Sequence, residues 1–130
     1  MLPPLITAFY TAIMALFFLG LTYYVIAGRW KHKVAIADGG NKDMVQRIRM
    51  HGNFAEFVPL LLIIMLLLEL CGLANLYLHI YGISLCLARV SLAYGLYKTT
   101  GFSIWRFMGN LLTHILILVG VAGCFCFYFF

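Results

Sequence analysis

The sequence predicts an all-α integral membrane four-helix bundle, built as one domain over residues 1–130. Composition is the first observation behind that expectation: 65% of the residues are hydrophobic and 10% are charged, against about 45–50% and about 25% in a soluble domain. Such a chain cannot coat a water-soluble globule with polar side chains. A soluble enzyme, a disordered tail and a disulfide-rich secreted module are therefore excluded. The second observation is the presence of four apolar runs, each able to supply the roughly 20 residues that a bilayer span requires. The third is charge placement. Eight of the nine Lys and Arg residues, at positions 29, 31, 33, 42, 47, 49, 98 and 106, fall in or beside two loops. Those loops share one side of the membrane in a four-span chain, and positive-inside bias makes that side cytoplasmic, with both termini periplasmic. The net charge of +5 is then a topology signal, and no soluble basic face remains for nucleic acid.

The first helix is expected at about 5–27. Met1 to Gly28 holds no charged residue; no basic residue precedes the run, and it exceeds the apolar core of a secretory signal, so it reads as a retained span. The basic loop that follows ends in the turn cluster Asp38-Gly39-Gly40-Asn41. Asp43 reads as the N-cap of a second helix over about 43–70. Cys71 to Asn75 forms a short uncharged turn, the third helix covers about 75–97, Lys98 to Gly101 breaks the pattern, and the fourth helix covers about 103–130. Trp30 and Trp105 fall at the cytoplasmic boundary, where interfacial aromatics belong. Cys71, Cys86, Cys124 and Cys126 are scattered and read as packing residues, with no metal site. The lack of a cleavable targeting segment and the short chain predict a bacterial inner membrane.

The informative residues are those that are expensive in a membrane. An ionisable group at a helix centre costs at least about 2.5–3.5 kcal/mol, so it usually faces a bundle interior or a functional cavity. On the second helix Arg49, Asn53 and Glu56 fall within about 60° of one another at 100° per residue. A cation, an amide and a carboxylate are thereby stacked over two turns, with Pro59 removing a backbone donor one turn later. Arg89 lies about 12 Å of rise from the end of the third helix, at a depth that makes a Glu56–Arg89 contact available. Arg29, Arg49, Arg89 and Arg106 are expected at one depth with only Glu56 to oppose them. That excess of positive charge asks for an anionic ligand, with Glu56 free to receive an ammonium group. A small molecule with two carboxylates, an amine and a hydrogen-bonding body fits the set. Glu69 reads as a solvated helix end, His79 as an outer-interface residue and His114 as a hydrogen-bonded packing residue within the fourth helix.

The stretch RMHGNFAEFVP at 49–59 resembles the signature of the membrane-associated proteins in eicosanoid and glutathione metabolism, with Arg49, Asn53, Glu56 and Pro59 in register. LARVSLAYG at 87–95 resembles the same family's third-helix segment around its buried arginine, and Arg106 stands where the family has an arginine at the start of the fourth helix. The resemblance implies a homotrimer that binds glutathione as co-substrate between neighbouring subunits near the cytoplasmic side. It places Arg29, Arg49 and Arg89 at cationic positions of the glutathione pocket, Asn53 on the peptide, Glu56 on the ammonium group and Arg106 beside the sulfur. The chemistry fits that last role: a thiol of pKa about 8.5 is mostly protonated at pH 7, and an adjacent guanidinium favours the thiolate. Arginine keeps its own charge there. The chain departs from the family at Leu92 and Leu96, where some members carry His or Tyr, and at Phe107, where some carry a hydroxyl. Tyr97, about 80° from Arg89 on the helical wheel, is the nearer substitute for the missing tyrosine. Tyr94, about 140° away, takes that place if the register shifts near the helix end.

The resulting expectation is a membrane glutathione transferase, with peroxidase activity as an extension, that directs a thiolate at lipophilic electrophiles in a detoxifying conjugation. The electrophile is expected to enter from the bilayer between helices 1 and 4 of adjacent subunits. The alternative is a non-catalytic sensor or scaffold that binds glutathione or another anion, kept open by Leu92 and Leu96. A small multidrug antiporter is disfavoured because its embedded glutamate belongs in the first helix, which here is uncharged. A membrane cytochrome is disfavoured because His51 and His79 fall towards opposite faces and leave His114 unpaired.

Overall fold

Long apolar stretches leave the backbone no alternative in a membrane but to satisfy its own hydrogen bonds, and the helix is the local solution. The computed structural model describes residues 3–130; Met1 and Leu2 of the expected domain lie outside them. Among the described residues the chain forms α1 (Leu5–His32), α2 (Lys42–Leu70), α3 (Asn75–Lys98) and α4 (Ile104–Phe129). All four are long and apolar enough to cross a membrane. The fold is the all-α four-helix bundle that composition predicts. Leu61, Met65, Leu78, Leu85 and Leu92 sit at its centre, essentially without solvent contact.

α1 runs five residues past its expected end. Gly28 does not stop the helix; it is buried within α1, and its missing side chain leaves room for two side chains of α2. A Cβ there would stand 2.5 Å from Arg47 Cδ and 2.8 Å from Met44 Sδ. Arg29, Lys31 and His32 then occupy the last turn, where cations complement the negative end of the helix dipole. Lys33 closes the helix in a left-handed conformation at φ 54°. His32, expected in the loop, is thus helical.

The N-cap of α2 is Asn41 and not Asp43. The Asn41 side chain accepts from the backbone N–H groups of Asp43 and Met44, satisfying two of the donors that a helix start leaves open. Asp43 has other partners: its Oδ2 lies 2.7 Å from His32 Nε2 and 2.9 Å from Arg47 Nε. Arg47 also donates to the Tyr24 carbonyl at 2.7 Å and lies 3.9 Å over the Tyr24 ring. This polar cluster pins the end of α1 to the start of α2. Gln46 donates to the Leu96 carbonyl, so the end of α3 meets the same start. Both basic loops therefore share one end of the bundle.

At the opposite end Glu69 is not a solvated terminus. Its carboxylate accepts from the backbone N–H groups of Ile6 at 3.0 Å and Thr7 at 2.7 Å. It caps α1 from another helix, a role that the uncapped Pro4 start leaves vacant. Tyr10 Oη, 3.1 Å from His79 Nδ1, adds a link between α1 and α3 there.

α4 buries a stripe of Gly109, Thr113, Leu116 and Gly120, with Gly109 and Thr113 against α3 and Gly120 against Ile64 of α2 and Tyr81 of α3. Small residues on this face let two membrane helices approach closely. A Cβ on Gly95 would lie 2.5 Å from the Arg106 backbone nitrogen, and one on Gly109 would lie 2.7 Å from the Ala88 carbonyl oxygen. This backbone contact sets where α4 begins relative to α3, and so where Arg106 stands.

Candidate functional site

The 3.6-residue period places Gln46, Arg49 and Asn53 on the side of α2 that looks toward the ends of α3 and α4. Leu92 and Leu96 supply the α3 wall, Arg106 and Asn110 the α4 wall, and Thr100 the rim. Together they line an open cleft of about 150 Å³, smaller than the ~300–1,000 Å³ of complete small-molecule sites, so a single chain supplies one part of such a site. Two guanidinium groups and three amides face a space whose back is formed by two leucines. Among the described residues Arg106 donates only to the carbonyl oxygens of Thr100 and Gly101, at 3.4 Å each. Bonds of that length are loose, and no carboxylate neutralises the group, so it is available to an incoming anion.

Arg89 does not point into the cleft. It is 2% exposed and lies behind the cleft wall. Its Nη2 donates to Asn53 Oδ1, its Nη1 donates to Thr113 Oγ1 at 3.4 Å, and its Cζ sits 5.8 Å from the Phe54 ring centroid. Thr113 in turn donates to the Gly109 carbonyl at 2.8 Å. One side chain therefore ties α2, α3 and α4 together. It also fixes the Asn53 amide: with Oδ1 taken by the guanidinium, Asn53 is left with its N–H donors for the cleft.

The expected Glu56–Arg89 contact is absent. Glu56 pairs instead with Arg49 on its own helix, Oε1 to Nη1 at 3.5 Å, and both side chains are 55% exposed. The reason is angular. Asn53 and Glu56 lie about 60° apart on the α2 wheel, which suffices to turn the amide toward α3 and the carboxylate away from it. Nor do all four arginines meet. Arg49 and Arg106 share the cleft, and Arg89 backs it. Arg29 stands on α1 in a separate surface recess with Trp30 and Lys33, donating to the carbonyl oxygens of Val34 and Ala37. Neither tyrosine lines the cleft. Tyr97 faces Tyr24, with centroids 6.4 Å apart, and Tyr94 packs edge-on against Trp105 at 5.7 Å. Leu92 and Leu96, the two departures from the family pattern, are the α3 residues that do line it. His114 is exposed on α4 and touches the edge of Phe57.

Sequence reasoning missed Gln46, Asn110 and Thr113. The signal was present for the first two. Gln46 lies one turn before Arg49, and Asn110 lies one turn after Arg106, the same spacing that joins Arg49 to Asn53.

The chain matches a known family. The MAPEG family model covers residues 7–126. The chain belongs to the MAPEG family. It is 31% identical over 119 residues to the inner membrane protein YecN of Escherichia coli (strain K12), a match that spans 92% of this chain and 89% of the relative. The inner membrane protein YecN of Escherichia coli O6:H1 (strain CFT073) matches to the same extent. No solved structure matches the chain.

Proposed function

We propose that the protein is a membrane-bound glutathione transferase, with peroxidase activity as an extension, resident in a bacterial inner membrane with both termini periplasmic. The observation that carries the reading is the cleft in which Arg49, Asn53 and Arg106 converge, with Arg106 lacking any carboxylate partner among the described residues. Membership of a family concerned with glutathione metabolism and likeness to an inner membrane protein support it. Arg49 and the Asn53 amide bind the anionic and peptide parts of glutathione, and Glu56 receives its ammonium group. Arg106 holds the sulfur as thiolate, which lets it attack a lipophilic electrophile supplied by the bilayer. Arg89 acts from behind the wall, as the group that orients Asn53. Tyr94 and Tyr97 lie outside the cleft of a single chain.

A homotrimer completes this site. Glu56 stands about 21 Å along α2, roughly midway, with 55% of its side chain exposed. A carboxylate turned to lipid at that depth is costly, so a neighbouring copy covers this face and brings Arg29 toward the ligand. The second reading, a non-catalytic glutathione-binding sensor or scaffold, is favoured by Leu92 and Leu96, which give the α3 wall no hydroxyl to offer a sulfur.

Two variants test the assignment. Arg106→Ala is expected to cut kcat with a generic electrophile about 100-fold or more while changing glutathione affinity less than about threefold. Glu56→Gln is expected to weaken glutathione binding about tenfold at nearly unchanged kcat. Equal losses of rate and affinity in Arg106→Ala, or unaltered affinity in Glu56→Gln, count against the roles given.

A further inference from the structure

Tyr94 and Tyr97, which the cleft does not use, border a different space. At the basic end of the bundle α1 and α3 lie side by side and leave an open groove of about 370 Å³ between them. Phe17, Leu21 and Tyr24 of α1 form one bank, and Val90, Tyr94 and Tyr97 of α3 form the other. The surface inside the groove is wholly apolar. From Phe17 to Tyr24 it runs about 10.5 Å along the helix, less than half of the ~30 Å hydrocarbon thickness, so it fits within one leaflet. Val90 and Tyr97 are 57% and 60% exposed, which leaves the groove open to the bilayer.

Two lysines stand at the mouth of this groove. Lys98 Nζ lies 5.5 Å from the centroid of the Tyr94 ring. Lys31 follows Tyr24 by two turns, about 20° from it on the α1 wheel and about 10.5 Å further along. Both lysines are exposed. Among the described residues neither forms an ion pair, since the pairs are His32–Asp43, Arg47–Asp43 and Arg49–Glu56. This is also where the bundle is least tied together. Among the described residues, hydrogen bonds join α1 to α3 only at the far end, from Tyr10 to His79. At the basic end the Tyr24 and Tyr97 rings face each other with centroids 6.4 Å apart.

We propose that this groove holds one anionic phospholipid, with an acyl chain lying between α1 and α3 and the phosphate between Lys31 and Lys98. An apolar trough confined to one leaflet and opening on two unpaired cations matches such a molecule in both polarity and charge. A second copy of this chain presenting the same face would set its own lysines against these two, and like charges oppose that pairing. The lipid bridges the two helices at the end where no hydrogen bond does, and so stabilises the folded bundle by mass action. The groove lies on another side of α3 from Leu92 and Leu96, which line the cleft, and its occupant is independent of what the cleft binds.

Native mass spectrometry of the detergent-solubilised protein tests this by counting lipids bound during titration with phosphatidylglycerol or with phosphatidylcholine of the same chains. One phosphatidylglycerol per chain is expected, held about tenfold more tightly than phosphatidylcholine. Replacing both lysines, Lys31→Gln with Lys98→Gln, should remove that preference. Lys33→Gln with Lys42→Gln takes the same charge from the same end of the bundle and should keep it. Val90→Trp, a change at an exposed position that fills the groove from its open side, should weaken both lipids about tenfold. Glycerol 1-phosphate, a phosphate without chains, should not displace the bound lipid. Thermal unfolding in plain detergent reports that each variant is folded. Wild-type protein without a preference for the anionic lipid overturns the site, as does a preference that survives the loss of Lys31 and Lys98. Equal loss in the Lys33 and Lys42 pair shows diffuse attraction to the basic end and overturns it too. Displacement by glycerol 1-phosphate, or unaltered lipid binding in Val90→Trp, contradicts the place given to the acyl chain.

Discussion

Arg89 carries its charge into a bundle interior where no described residue offers it a carboxylate: two oxygens, from Asn53 and Thr113, and one ring face are its partners, and its Nε has none among the described residues. Buried charges without excellent compensation are weak contributors to stability, and apolar replacements are often neutral or stabilising. Retention of a cost of this kind is understandable if the guanidinium serves the cleft through Asn53. Arg89→Leu is therefore expected to leave thermal stability unchanged or raised while glutathione affinity falls about tenfold, or about 1.4 kcal/mol. Asn53→Ala should lose a similar amount, and the double variant should be no worse than either single one, because both remove one coupled unit. Additive losses in a calorimetric cycle would show that Arg89 meets the ligand independently. The alignment of Arg49, Asn53 and Glu56 was legible in the sequence because helical periodicity is a local property. Which of the three faces Arg89 was not, since that depends on where α3 sits around α2. Glu69 escaped for the same reason: nothing in its own segment tells that the start of α1 lies beside it.

Element boundaries were legible to within a few residues where composition changes sharply, as at Leu70 and Asn75, and less so where a glycine stands beside charges. Gly28 looks like a stop signal in a linear reading, yet it is a contact point with Met44 and Arg47, and α1 continues to His32. Gly95 has the same character with a greater consequence, because the backbone it touches is that of Arg106. Gly95→Ala is expected to displace the start of α4. Displacements of about 1 Å at a reacting group cost up to about 100-fold in rate, so kcat should fall between about 10-fold and 100-fold. Gly20→Ala, on an open face of α1 with nothing within 4 Å of the added carbon, should leave kcat unaltered. Steady-state rates of the two variants side by side check the claim, and an unchanged rate in Gly95→Ala would separate the α3–α4 contact from the chemistry.

At the scale of the whole molecule, composition and charge placement suffice for the fold class, since 65% apolar residues and two basic loops admit few architectures beyond a four-span bundle. The site was legible only in part. Arg49, Asn53 and Arg106 meet in one cleft, but Arg29 lies apart and Glu56 looks outward. A single sequence does not show which faces of a bundle are covered by another copy of itself. The cleft nonetheless holds what the central claim needs, an arginine with no acidic partner among the described residues, beside a second guanidinium and three amides. The direct test is an ultraviolet difference spectrum of the purified protein, titrated with glutathione near neutral pH. A saturable thiolate band that vanishes in Arg106→Ala is the predicted result. Saturable glutathione binding with no thiolate band would contradict it and leave the protein a binder of glutathione and not its activator.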